Sequence, residues 1–144
     1  NFYLFDQDKK KKILFSKKKL PEGKITQKLL NSYSIGILTV MIKTKLIKKN
    51  KFNKFYNVIG DFDLFLKLSK KYQIQCIQDP LAFYREHKKN YSKLKTNQFI
   101  KELNNWTKVN SKKKEYKNYS FFKIRILVYK LILKRLISYL GIKT

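Results

Sequence analysis

Acidic residues are scarce in this chain: nine Asp and Glu stand against 35 Lys and Arg in 144 residues, a formal net charge of +26. Arginine is scarcer still. Only Arg85, Arg125 and Arg135 occur, so the basic character is almost wholly lysine. Sequence-specific nucleic-acid contacts favour the planar, bidentate guanidinium, and its shortage argues against nucleic acid as the partner. The lysines accompany abundant Asn, Ile, Tyr and Phe, residues with A/T-rich codons, so genome base composition explains the bias. The charge still attracts anionic lipid and nucleotide phosphates. One cysteine excludes an internal disulfide and a multi-cysteine zinc site, and suits a reducing compartment. Cys76 sits in an apolar alternating run and is expected as a buried, inert thiol. A secretory leader pattern is missing from the start. The chain opens on Asn1, its one methionine is Met41, and it is expected to be a piece of a longer protein.

What is present suffices for one domain with a core, since 43% of residues are hydrophobic and 15% aromatic. Asn1 to Asp6 and Ile13 to Ser16 read as extended runs around a polar turn, Gln7 to Lys12, which predicts a β-hairpin. Asp6-Gln7-Asp8 falls in that turn and is read as turn chemistry. After Pro21-Glu22-Gly23, Ile25 to Asn31 predicts a short helix with Leu29 and Leu30 inward. Ile35 to Ile42 is a nearly continuous apolar run rich in β-branched residues, the pattern of a strand buried on both faces. Gly36 at its start could admit close approach of backbone or ligand. Lys45 to Phe55 is a polar connector. Lys95 to Val109 predicts a helix with Phe99, Ile100, Leu103 and Trp106 on one stripe, and Trp106 there is expected in the core.

The stretch Ile59 to Ser92 holds four of the nine acids, the only histidine, His87, and Pro80. Gly60 to Lys71 predicts a strongly apolar helix, with Asp61 or Asp63 in its first turn as a cap. Tyr72 to Ile77 alternates and predicts a short strand that Asp79-Pro80 ends. Leu81 to Arg85 predicts a second extended run, followed by a polar loop carrying His87, Asn90 and Ser92.

This order resembles the C-terminal half of a family 2 glycosyltransferase catalytic domain. The family's first block usually reads Glu-Asp-x-x-Leu-x-x-Arg-Leu, where this chain keeps Asp61 but has Gly60 for Glu and Lys67 for Arg. The second usually reads Pro-Leu-x-x-Tyr-Arg-x-His-x-x-Asn-x-Ser, matched by Pro80, Leu81, Tyr84, Arg85, His87, Asn90 and Ser92. An Ile-Gly-x-x-x-Val segment on the sugar or acceptor side is matched by Ile35, Gly36 and Val40, with Thr39 as a polar contact. The resemblance covers about residues 1–108. It implies an α/β chain, the C-terminal part of a GT-A nucleotide-diphospho-sugar transferase fold, with a β-hairpin, a buried strand and flanking helices. It implies inverting transfer of a sugar from a nucleotide-diphosphate donor to a glycan or lipid-linked hydroxyl acceptor, in glycan or cell-surface polysaccharide synthesis. Asp61 would be the general base, and Arg85, His87, Asn90 and Ser92 would serve the diphosphate. His87 is also a possible metal ligand, and Asp63 an acceptor-side contact. A divalent metal, Mg or Mn, is expected in the full-length enzyme, with its main Asp-x-Asp site outside this chain. The isolated piece is expected to be inactive.

Residues 1–109 are thus assigned to the catalytic portion, 110–118 to a linker, and 119–144 to a basic amphipathic C-terminal helix. In that helix Lys123, Lys130, Lys134 and Ser138 share a sector, with Leu127 as its apolar exception. Phe122, Val128, Tyr129, Ile132, Leu133, Leu136, Tyr139 and Leu140 oppose them, with Arg125 inside the apolar arc. Its longest uncharged piece, Leu136 to Ile142, is far below the roughly 20 residues of a membrane span. The readings are a helix lying on an anionic leaflet or one packed on the domain. The expected location is cytoplasmic, peripheral at the inner membrane face. The rival classes are a basic nucleic-acid-binding module and a non-enzymatic membrane-peripheral module.

Overall fold

The computed structural model describes residues 1–139, without the side chain of Ser92. The predicted hairpin is present: β1 (Tyr3–Asp6) and β2 (Lys11–Leu14) pair antiparallel, Tyr3 opposite Leu14 and Asp6 opposite Lys11. Between them Lys10 adopts a left-handed φ of 51°, and the Asp6 carboxylate accepts the Lys9 N–H at 3.0 Å. That hydrogen bond holds the half-exposed Asp6 carboxyl below its ordinary pKa. Asp6-Gln7-Asp8 is therefore part of the turn.

The second extended run becomes β3 (Phe83–Glu86), which lies parallel to β1 with Tyr3 opposite Phe83 and Asp6 opposite Glu86. The sheet order is β2-β1-β3. A parallel neighbour needs a long crossover, and here it carries α1 (Thr26–Asn31), α2 (Thr44–Lys49) and α3 (Gly60–Lys71). The short α4 (Tyr91–Leu94), α5 (Thr96–Asn110) and α6 (Phe122–Tyr139) follow β3. The chain is thus mixed α/β. No described helix is long and apolar enough to cross a membrane.

Helix α3 is apolar over a wide face because that face meets two packed groups. Phe62 and Leu66 enter a core built from Ile25, Leu29 and Leu30 of the α1 segment, Leu103 and Trp106 of α5, and Tyr116, Phe121, Ile124 and Val128 beyond. Leu64, Phe65 and Leu68 face a smaller cluster completed by Tyr33, Ile35, Val40, Ile42 and Ile47. Asp63, Lys67, Lys70 and Lys71 share the remaining side, so the helix is amphipathic with a wide apolar face.

Several expectations are corrected. Ile35 to Ile42 is no strand. It holds a single 3-10 turn at Ile37–Thr39, and Ile37, Leu38 and Met41 are exposed. The Thr39 N–H and hydroxyl both donate to the Gly36 carbonyl, at 2.9 and 2.8 Å, so the backbone is satisfied locally. Both sides of β1 are taken, and the run's Ile35, Val40 and Ile42 cover α3 instead. Tyr72 to Ile77 keeps its alternating exposure but pairs only through one bridge, Ile74 with Gly23. Cys76 there is half-buried, and its thiol meets the neighbouring Ile77 carbonyl. The expected connector at Lys45 to Phe55 contains most of α2.

Residues 110–118, expected as a linker, are crossed by the hydrophobic core. A 3-10 turn at Lys114–Tyr116 seats the Tyr116 ring edge-to-face with Trp106, centroids 5.9 Å apart. Lys70 lies 3.7 Å from that ring's centre and pairs with Glu115 at 2.7 Å. The buried Tyr116 hydroxyl has no hydrogen-bond partner among the described residues, and burial pushes its pKa up. An unpaired buried hydroxyl is a cost. Tyr116→Phe is therefore expected to stabilise the chain by about 1 kcal/mol, seen as a higher midpoint in urea at unchanged slope.

Candidate functional site

The start of α3 is held from outside the helix. The cap residue is Ile59, which offers no side-chain cap bond; of the two acids Asp61 accepts one first-turn N–H, that of Phe62, and Asp63 accepts none. Just ahead of the helix, Glu102 of α5 accepts the N–H groups of Asn57, Val58 and Ile59 at 3.1, 3.0 and 3.2 Å. Burial raises the pKa of Glu102, but these three donors and the Gln98 amide outweigh it and hold the carboxyl below its ordinary value. A carboxylate accepting several backbone N–H groups is a strong anchor. It fixes the loop from which α3 springs.

Asp61, in the first turn, is half-buried. Its Oδ1 accepts the N–H of Phe62 at 2.8 Å, and its Oδ2 accepts the Tyr33 hydroxyl at 3.3 Å. Burial, then the Asp61 charge, pushes the Tyr33 hydroxyl well above its ordinary pKa, so it stays protonated as a donor. Asp61 and Tyr33 both line a cavity of about 230 Å³ whose other walls include Leu29, Leu30, Phe62, Phe99, Leu103 and Leu127. The site is an apolar pocket with one carboxylate and one phenol. Tyr33 was missed because a lone tyrosine in a polar loop carries no local pattern, and its role depends on a residue 28 positions away.

Asp63 differs from its neighbour in kind. It is buried, where a cap or acceptor contact was expected. Its Oδ1 accepts the Trp106 indole N–H at 2.8 Å, and its Oδ2 pairs with Lys67 at 2.6 Å. It joins α3 to α5.

The basic loop forms a second cluster. Asn90 fastens it, with Oδ1 accepting the His87 N–H and Nδ2 donating to the Arg85 carbonyl at 3.1 Å. Asn90 therefore shapes the loop with its own side chain. Arg85 is exposed, beside Phe5 and Phe83 in an open hollow of about 380 Å³. His87 is half-buried. The side chain of Ser92 lies outside the described residues. His87 and Asn90 share the turn that follows Arg85 of β3, while none of the three, nor Gly36 or Thr39, lines the Asp61 pocket. Among the described residues no group of three or more His, Cys, Asp or Glu side chains could hold a metal ion.

Gly36 takes a close approach, but from within. A Cβ there would stand 2.6 Å from the ring of Phe2, which stacks on Phe15 at 4.3 Å. The close approach at Gly36, expected of backbone or ligand, is made by the ring of Phe2. Gly36→Ala is expected to cost about 1–3 kcal/mol through overpacking, read as a lowered melting temperature.

No protein-family model matches the chain, and no curated protein or solved structure matches it significantly.

Proposed function

We propose that this chain is the acceptor-side part of an inverting glycosyltransferase with a GT-A type fold. Asp61 takes the proton of an acceptor hydroxyl as that oxygen attacks the anomeric carbon of a nucleotide-diphosphate sugar. One C–O bond forms to the acceptor, the bond to the diphosphate breaks, and the diphosphate leaves with the electron pair. The observation that carries the reading is the half-exposed Asp61 carboxylate on a pocket wall, at the start of a helix held by Glu102. It is supported by the order of Asp61, Arg85 and His87 along the chain and by the parallel pairing of β1 with β3.

Tyr33 orients the base by donating to the oxygen opposite the one that Phe62 binds. The apolar walls suit an acceptor whose hydroxyl adjoins apolar surface, and they exclude water from the attacking oxygen. Arg85 supplies positive charge and His87 a hydrogen-bonding imidazole for the leaving diphosphate, from β3 and the turn after it, separate from the pocket. The natural full-length protein, offered a panel of nucleotide-diphosphate sugars, is expected to release nucleoside diphosphate in step with glycosylated acceptor. Absence of release with every donor and acceptor class would refute the reading.

A further inference from the structure

Helix α6 faces two ways. The sequence places Val128 in one apolar arc with Phe122, Tyr129 and Leu133, but the structure divides that arc. Ile124 and Val128 are buried in the core with Phe121 just before the helix. On the other side Phe122 (67% exposed), Ile126, Tyr129 (70%), Leu133 (57%) and Leu136 stand open to solvent. Their spacing alternates four and three residues, which confines them to a stripe roughly 80° wide at 3.6 residues per turn. Leu140, which continues the spacing in sequence, lies outside the described residues.

The flanks of the stripe are basic. Lys123, Lys130 and Lys134 border one side and Arg125 the other, and no Asp or Glu follows Glu115 in the sequence. An apolar strip flanked by lysines and an arginine, on a helix that carries no acid of its own, is the composition of a helix that lies in a membrane interface. We propose that this stripe docks on an anionic phospholipid leaflet, with α6 in the interface plane and its lysines among the headgroups. A second copy is the poorer occupant. Two such helices meeting along the stripe would bring Lys123, Arg125 and Lys130 of both copies together with no carboxylate to pair them. The proposal does not depend on the transfer reading, and neither does its test.

The protein is sedimented with vesicles of phosphatidylcholine alone or mixed with phosphatidylglycerol. Binding is expected only to the mixed vesicles, weakening as salt rises. The double variant Phe122→Ser, Leu133→Ser keeps every charge and is expected to lose binding at least about tenfold. Both side chains are exposed, and unchanged Trp106 fluorescence confirms the fold; Tyr129→Ser provides an independent second variant. Equal binding by parent and variants would show that the net charge alone holds the vesicle, and would overturn the proposal. So would absence of binding to mixed vesicles, or a dimer in solution that the variants dissociate while vesicles leave the parent unbound.

Discussion

Asp61→Asn is expected to slow sugar transfer by the natural full-length protein about a thousandfold, while its melting temperature stays within about 3 °C of the parent. The substitution is nearly isosteric, and the surroundings of Asp61 tolerate an amide. The Asn Oδ1 keeps the Phe62 N–H, and the Tyr33 hydroxyl can turn to accept from Nδ2 where it now donates to Oδ2. What the amide cannot do is take a proton. A carboxylate that only braced the start of α3 would leave the rate almost untouched, and Glu102 already performs that bracing through three backbone N–H groups. An unchanged kcat in Asp61→Asn would remove Asp61 from the mechanism.

The second large effect concerns stability. Trp106→Ala is expected to cost about 4 kcal/mol, which for a chain of this size lowers the melting temperature by about 10 °C. Trp106 is 0% exposed and is the hub of the aromatic core. Its ring meets Phe62 edge-to-face at 4.8 Å and Tyr116 at 5.9 Å, and stacks on Phe121 at 6.0 Å. Truncation opens a cavity among all three. It also strips the buried Asp63 of its indole donor, leaving a carboxylate with Lys67 as its remaining partner. Trp106→Phe separates the two contributions: it keeps most of the ring volume and removes the donor, at an expected cost of about 1–3 kcal/mol. If Trp106→Ala melted with the parent, the aromatic hub would not be the centre of the core.

The two neighbouring acids show where reading the sequence stops. Asp61 and Asp63 occupy the same helix turn, and from the sequence both were candidates for cap or site. In the fold one faces a pocket and the other is sealed beneath Trp106. That division is set by which side of α3 meets α5, and α5 lies beyond β3 in the chain. The run Ile35 to Ile42 was misread for a related reason. Its apolar continuity is what a sheet strand and a wrap over a helix have in common, and only the occupied sides of β1 decide between them. The aromatic stripe of α5 was read correctly because its periodicity is local and Trp106 lies on its buried side.

The sequence by itself determined the hairpin, α1, α3, α5, β3 and the basic helix at the end, since each is written in a local pattern of apolar spacing and turn residues. It also determined the formal charge of +26. The tertiary structure decided that Glu102 holds the start of α3, that Tyr33 rather than a second acid accompanies Asp61, and that Gly36 makes room for Phe2. It decided as well that α6 gives one face to the core and leaves another uncovered. These are contacts between residues far apart in the chain. Local spacing says which side chains share a face, while only packing says what that face meets.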